Sequence, residues 1–230
     1  MGKHRISIVI PVLNEAGNLK KLNDHLKAVA RKENLKEIII VDGGSTDKTI
    51  EVIKSFEDVQ LIKSEKGRAK QLNSGAQHAR GEILYFLHAD TFPPDGFDEK
   101  ILNAKASAGC FRLKFDNPDS IWLKIAPWFT QFSNFLFRGG DQSLFILSTI
   151  FRELGGFDER YAVYEDVEFI QRIRKKHRFD ILDDYVVTSA RRFRENGTAR
   201  LYYHFLMVHL KARLGQGPDA LYDYYRRHIS

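Results

Sequence analysis

Four short apolar, β-branched runs alternate with helical patterns through the first ninety residues. Ile6–Ile10 ends at Pro11, Glu37–Val41 ends at Asp42-Gly43-Gly44-Ser45, Val59–Ile62 follows, and Glu82–Leu87 stops at His88-Ala89-Asp90. Between them Leu19, Leu22, Leu26 and Val29 recur at helical spacing, as do Ile50, Ile53 and Phe56 behind a Ser45 or Thr46 cap. Gly67–Ala79 supplies a third helical pattern. Such alternation predicts parallel strands joined by right-handed crossovers. Ligands on sheets of this kind bind beyond the carboxyl ends of the strands. Asn14-Glu15, Asp42 and Asp90 each follow a strand end, so they are expected to converge on one edge.

The second half is less regular. Phe97–Lys105 is expected to be helical, Ala108–Phe115 a strand, Gln142–Ser148 a strand, Tyr164–Lys176 a helix and Phe179–Leu182 a strand. Ile121–Phe137 is aromatic-rich and broken by Pro127, while Ala199–Arg213 and a segment opening at Pro218 read as tail helices. With 230 residues and 43% hydrophobic content, the chain can bury one sizeable core. We expect a domain over residues 1–195 and a helical extension over 196–230 packed on it. The single cysteine, Cys110, excludes a disulfide framework and a multi-cysteine zinc site.

The formal charge of +6 is unevenly placed. Residues 171–230 carry 13 Lys and Arg against 6 Asp and Glu, whereas residues 1–170 balance 23 against 24. A basic tail suits diphosphates, anionic headgroups or nucleic acid. No apolar run reaches the roughly 20 residues of a spanning helix, and Ile6–Leu13 lacks the pattern of a signal peptide. A cytoplasmic protein is expected, with peripheral contact at the inner membrane face as a further expectation.

Several residues have chemistry suited to a site. Asn14 and Glu15 after the first strand can meet a ribose or base edge, and Asp42 can accept hydrogen bonds where Gly43 and Gly44 let backbone approach a ligand. Asp90 can hold a divalent cation whose shell substrate oxygens and water complete. Each has a plainer reading as a turn former or helix entry. No G-x-G-x-x-G fingerprint or P-loop is present.

Taken in order, Pro11-Val12-Leu13-Asn14-Glu15, Asp42-Gly43-Gly44-Ser45-Thr46-Asp47 and His88-Ala89-Asp90-Thr91 resemble the family 2 glycosyltransferases, nucleotide-sugar enzymes of the GT-A fold. The resemblance implies a Rossmann-like, mixed and mainly parallel α/β sheet flanked by helices. It implies nucleoside contacts from Pro11, Asn14, Glu15, Asp42, Arg68, Asn73 and His88. It also implies Mg²⁺ or Mn²⁺ on Asp90, with His88 in the position where the family carries its first acid. Gly139, Gly140 and Asp141 match a loop under the donor sugar. Leu154-Gly155-Gly156-Phe157-Asp158 matches a turn ahead of the acidic pair Glu165-Asp166, whose second acid corresponds to the catalytic base.

A base is needed because an acceptor hydroxyl must lose its proton as it attacks the anomeric carbon. Neighbouring Glu165 is expected to make Asp166 a better base by repulsion. Arg191 or Arg192 is expected to neutralise the departing diphosphate. Ala190-Arg191-Arg192-Phe193 lacks the glutamine and tryptophan of the polymerising relatives' motif, so processive synthesis is not supported. The variant motifs resemble a short subgroup, some members of which are named for arsenosugar biosynthesis.

The function implied is inverting, metal-dependent transfer of a sugar, a hexose by expectation. The donor would be a UDP- or GDP-sugar and the acceptor a hydroxyl, a lipid-linked one among the candidates. The rival is a non-catalytic anion-binding protein on the same scaffold, addressed to a membrane surface or nucleic acid. Nucleic acid is the less favoured partner.

Overall fold

The computed structural model describes residues 5–116 and 143–229. Ile121–Phe137 and Gly139-Gly140-Asp141 therefore lie outside the described residues.

The four alternating runs form parallel strands. These are β1 (Ile6–Val12), β2 (Leu35–Asp42), β3 (Val59–Lys63) and β4 (Ile83–Phe86). The intervening helices are α1 (Ala16–Val29), α2 (Thr49–Lys54) and α3 (Arg68–His78). β1 is paired on both sides, with β2 and with β4. The period of two along it sorts side chains cleanly. Ile6, Ile8, Ile10 and Val12 share a core with Leu19, Leu22 and Leu26 of α1, whereas Val9 shares the opposite one with Ala69 and Leu72 of α3.

Beyond β4 the sheet continues through β7 (Leu144–Leu147), β6 (Ala108–Phe115), β8 (Phe179–Thr188) and β5 (Thr91–Phe92), in the order β3-β2-β1-β4-β7-β6-β8-β5. β7 is antiparallel to both β4 and β6, and β8 is parallel to β6. Two reversals cancel, so β1, β2, β4, β6 and β8 all point their carboxyl ends to one edge. In strand order the chain leaves β1 toward β2 and leaves β4 toward the opposite flank, which makes their boundary the switch point where such folds bind ligands.

β5 and the helix at Arg191–Asn196 are absent from the sequence reading. Neither Ser45 nor Thr46 caps α2, which opens at Thr49 behind Lys48 with no side-chain cap. Three further stretches differ from the sequence reading. The apolar run after residue 143 is split into β7 and helix α5 (Ser148–Glu153), because Ser148 leaves the sheet while Ile150 and Phe151 still reach the core. β8 continues to Thr188 through Asp183-Asp184, an unpaired irregularity whose charges disguise a strand that pairs with β6 on either side of it. Phe97–Lys105 shortens to α4 (Phe97–Leu102).

The later helices are α6 (Glu165–Lys176), α7 (Arg191–Asn196), α8 (Thr198–Arg213) and α9 (Pro218–His228). Phe193, Leu201, Val208 and Leu221 form a third cluster, against which Phe115, Tyr161 and Tyr164 pack.

Helix α3 lies unusually close to the sheet. A Cβ on Gly75 would fall 2.3 Å from Val9 Cγ1 and 3.0 Å from Val41 Cγ2. Ala in place of Gly gains up to about 1 kcal/mol of helix propensity, but overpacking of this kind costs about 1–3 kcal/mol. Neither β-branched neighbour is the flexible end of a long side chain, so the clash should win. Gly75→Ala is expected to lose about 1–2 kcal/mol in urea unfolding; an unchanged or raised midpoint would show that the helix can back away freely.

Candidate active site

The loops after β1 and β2 are knitted to each other. Asn14 adopts a left-handed φ of 57°, a region asparagine tolerates better than most residues. From there its Oδ1 accepts the Thr46 amide at 2.8 Å, while its own amide donates to Ser45 Oγ at 2.9 Å. The Glu15 amide donates to Thr49 Oγ1 at 2.9 Å, and Glu15 Oε2 accepts from Asn18 at 2.7 Å. Asp42 is buried, and its carboxylate accepts from the Gly44 amide at 3.0 Å and the Ser45 amide at 3.2 Å. Asn14 and Asp42 thus hold the strand-end loops in shape, the plainer of the two roles the sequence left open for them.

Gln71 was missed altogether. Its buried amide donates to the carbonyls of Val12 and Val41, both at 2.8 Å, tying together the carboxyl ends of β1 and β2. Gly43 makes room for it, since a Cβ there would sit 2.9 Å from the carboxamide. The available signal was a glutamine on the same helical face as Ala69, Leu72 and Gly75, where an apolar residue would be ordinary.

Asn73 was expected at the nucleotide, but its amide is committed elsewhere. Oδ1 accepts the Phe157 amide at 2.9 Å, and Nδ2 donates to the Phe157 carbonyl and to Glu159, each at 2.9 Å. Both N–H donors are therefore used, and the Gly155-Gly156-Phe157-Asp158 turn is pinned to α3. Arg172 braces the same turn from α6, donating to the Leu154 and Gly156 carbonyls at 2.6 and 2.7 Å.

At the start of α3, Arg68 Nη1 meets Glu165 Oε1 at 3.3 Å. The Glu165 side chain is 1% exposed and that of Arg68 40% exposed. A carboxylate this deeply buried needs a cationic or hydrogen-bonding partner, and this one comes from the helix assigned to the nucleotide. Asp166 beside it is half-buried, and its Oδ1 accepts the Val167 amide at 2.7 Å. Glu165 is thus engaged by Arg68, rather than acting on Asp166 through repulsion alone.

Tyr164, just before the pair, has a φ of 74°, and it and Asn14 are the two non-glycine residues at positive φ among the described residues. A bulky side chain held in that region is a genuine outlier, of the sort that clusters at functional sites. Tyr164 meets the His209 ring of α8 edge-on, centroids 5.1 Å apart. Burial pushes the His209 pKa down to about 4, which keeps that ring neutral at pH 7. Burial likewise raises the Tyr164 phenol.

His88 and Asp90 are half-buried at the end of β4, flanking buried Ala89. Among the described residues no group of three or more His, Cys, Asp or Glu side chains could hold a metal ion. This donor set does not suit a resident ion with an all-protein shell. Within it the Asp90 carboxylate fits a hard cation that keeps waters and arrives with diphosphate oxygens.

At the same edge, α7 follows β8. The Ala190 amide donates to Asp116 Oδ1 at 2.7 Å, and Phe193 is buried against Phe115. Arg192, one of the two expected diphosphate residues, turns toward the tail. Its guanidinium lies 5.8 Å from the Phe205 ring centroid and 5.2 Å from that of Tyr225, and donates to the Tyr225 hydroxyl. Arg191 is exposed on the first turn of α7.

A sheet of this order, with its polar loops gathered at the β1/β4 switch point, defines a GT-A glycosyltransferase fold. The model of Glycosyl transferase family 2 matches residues 7–151, and the chain belongs to that family. It is 27% identical over 110 residues to the glycosyltransferase AglE of Haloferax volcanii, a match covering 45% of this chain and 36% of that protein. It is 36% identical over 100 residues to the dolichyl N-acetyl-alpha-D-glucosaminyl phosphate 3-beta-D-2,3-diacetamido-2,3-dideoxy-beta-D-glucuronosyltransferase of Methanococcus voltae, covering 40% of this chain and 31% of that protein. The matches thus span about a third of these relatives' length.

Among solved structures, the mannosyltransferase PcManGT from Pyrobaculum calidifontis, in complex with GDP-Man and Mn2+, superposes with a TM-score of 0.69 at 18% identity. That match covers 98% of this chain and 70% of the other. S. aureus TarS 1-349 with UDP-GlcNAc gives 0.64 at 17% identity, covering 80% and 58%. At these identities the likeness establishes the fold.

If Asn73 positions the turn rather than binding nucleotide, Asn73→Ala strips three hydrogen bonds from a half-buried loop. We expect a loss of about 1–3 kcal/mol in chemical unfolding. Unchanged stability with weakened nucleotide affinity would return Asn73 to the nucleotide.

Proposed function

We propose that the protein is an inverting, metal-dependent glycosyltransferase that moves a sugar, a hexose in the simplest case, from a nucleoside diphosphate to an acceptor hydroxyl. The observation that carries this reading is the Arg68–Glu165 contact, which brings the helix beside the nucleotide loops against the acidic pair at the start of α6. Pro11, Glu15 and Asp42 at the ends of β1 and β2 face the nucleoside, with Arg68 and His88 beside it. Asp90 and His88 would hold Mg²⁺ or Mn²⁺, which when bound supplies positive charge to the diphosphate. The binding of GDP-Man with Mn2+ by one structural neighbour and of UDP-GlcNAc by another supports a nucleotide-sugar donor and divalent metal use.

In the reaction Asp166 accepts the proton of the acceptor hydroxyl as its oxygen attacks the anomeric carbon. The bond to the diphosphate breaks on the opposite face, so the configuration inverts. Arg191, whose side chain faces solvent at the same sheet edge, stabilises the charge on the departing diphosphate. Glu165, held by Arg68, fixes the first turn of α6 and with it the carboxylate of Asp166. Gly139, Gly140 and Asp141 complete the donor-sugar side in this reading.

A positioned general base contributes roughly 10²–10⁴-fold. Asp166→Asn is therefore expected to lower the transfer or donor-hydrolysis rate about 10²-fold or more while nucleotide-sugar affinity is retained. Full activity in the variant would remove Asp166 from the base role.

A further inference from the structure

Helix α8 has two apolar faces. Leu201, Val208 and His209 are buried, and His209 meets Tyr164 next to the acidic pair. On the other side Tyr203, Leu206, Leu210 and Leu214 are 58%, 51%, 45% and 73% exposed. Their spacing of three, four and four residues places them in one stripe along the helix. Four large apolar side chains in a continuous row is more than the scattered exposure of an ordinary surface.

The charge carried by α8 itself is of one sign. From Gly197 to Leu214 the chain carries Arg200, Lys211 and Arg213 and no carboxylate. Arg200 and Arg213 are exposed near its two ends. Among the described residues no helix is long and apolar enough to cross a membrane. An apolar row with flanking cations instead matches a helix lying in a lipid interface, where headgroup charge and acyl chains act together.

A second copy of the chain is a poorer occupant. A two-fold interface must bury the same patch on both subunits, and two antiparallel α8 helices would bring Arg200 of each beside Arg213 of the other.

We propose that the exposed face of α8 docks on an anionic membrane surface and so holds the acidic pair at the lipid boundary. One helix diameter, about 10 Å, separates the stripe from the face that packs on Tyr164. This rests on the glycosyltransferase reading for its consequence, since an acceptor hydroxyl carried on a lipid would then reach Asp166. The docking itself does not depend on that reading.

The test is flotation of the full chain with vesicles of phosphatidylcholine alone or mixed equally with phosphatidylglycerol, comparing wild type with Leu206→Glu/Leu210→Glu. Thermal melting shows that the variant is folded, and titration with UDP- and GDP-sugars reads the donor site separately. Wild type should float with the mixed vesicles and much less with the neutral ones. The variant should bind them about tenfold more weakly or worse, with donor affinity unchanged. Absence of wild-type flotation overturns the proposal, as does equal flotation on neutral lipid or equal flotation of the variant. A wild-type dimer that the double substitution dissociates would also overturn it, giving the stripe to a second copy. Flotation without nucleotide-sugar binding would leave the docking standing and sink the enzymatic reading.

Discussion

The close approach of α3 to the sheet is the constraint on which the site depends. Gly75 allows it, because any Cβ there would overlap Val9 and Val41. From that seat α3 reaches in three directions. Gln71 ties the ends of β1 and β2, Asn73 pins the Gly155–Asp158 turn, and Arg68 pairs with Glu165. The loops after β1 and β2, the Gly155–Asp158 turn and the acidic pair are thereby referenced to one rigid element, the kind of fixed geometry a catalytic site needs.

The site is also held by local conformations that sequence alone would not favour. Asn14 and Tyr164 sit at positive φ where the two halves of the site begin. Asn14 is compensated by its hydrogen bonds to the Ser45–Thr46 loop, and Tyr164 by packing against His209 from α8. The tail is therefore part of the acidic pair's support. Arg192, drawn onto Phe205 and Tyr225, belongs to that support too.

Much of the first half was legible in the sequence because periodicity and position agree there. Ile6, Ile8 and Ile10 alternate onto one core, and the polar loops fall at strand ends whose direction the crossovers fix. What could not be read was the destination of individual polar side chains. Asn73 and Asn14 carry groups suited to a nucleotide, yet each spends hydrogen bonds on backbone amides brought near only by folding, whereas Asp42 closes a local turn onto Gly44 and Ser45. The length of β8 was hidden for a related reason, since Asp183 and Asp184 form ion pairs with Arg112 and Lys100 that only the assembled sheet supplies.

In the proposed function the carboxyl edge of this sheet binds a nucleotide sugar together with a divalent cation. This binding is tested most directly by thermal shift with UDP-, GDP- and dTDP-sugars, each with and without Mn²⁺, in wild type and Asp90→Ala. A ligand at about a hundred times its Kd adds about 2.7 kcal/mol, a rise of a few degrees for a chain of this size. A saturable rise of this size is expected for at least one donor, larger with Mn²⁺ and lost in Asp90→Ala. No shift with any nucleotide sugar, with or without metal, would contradict it.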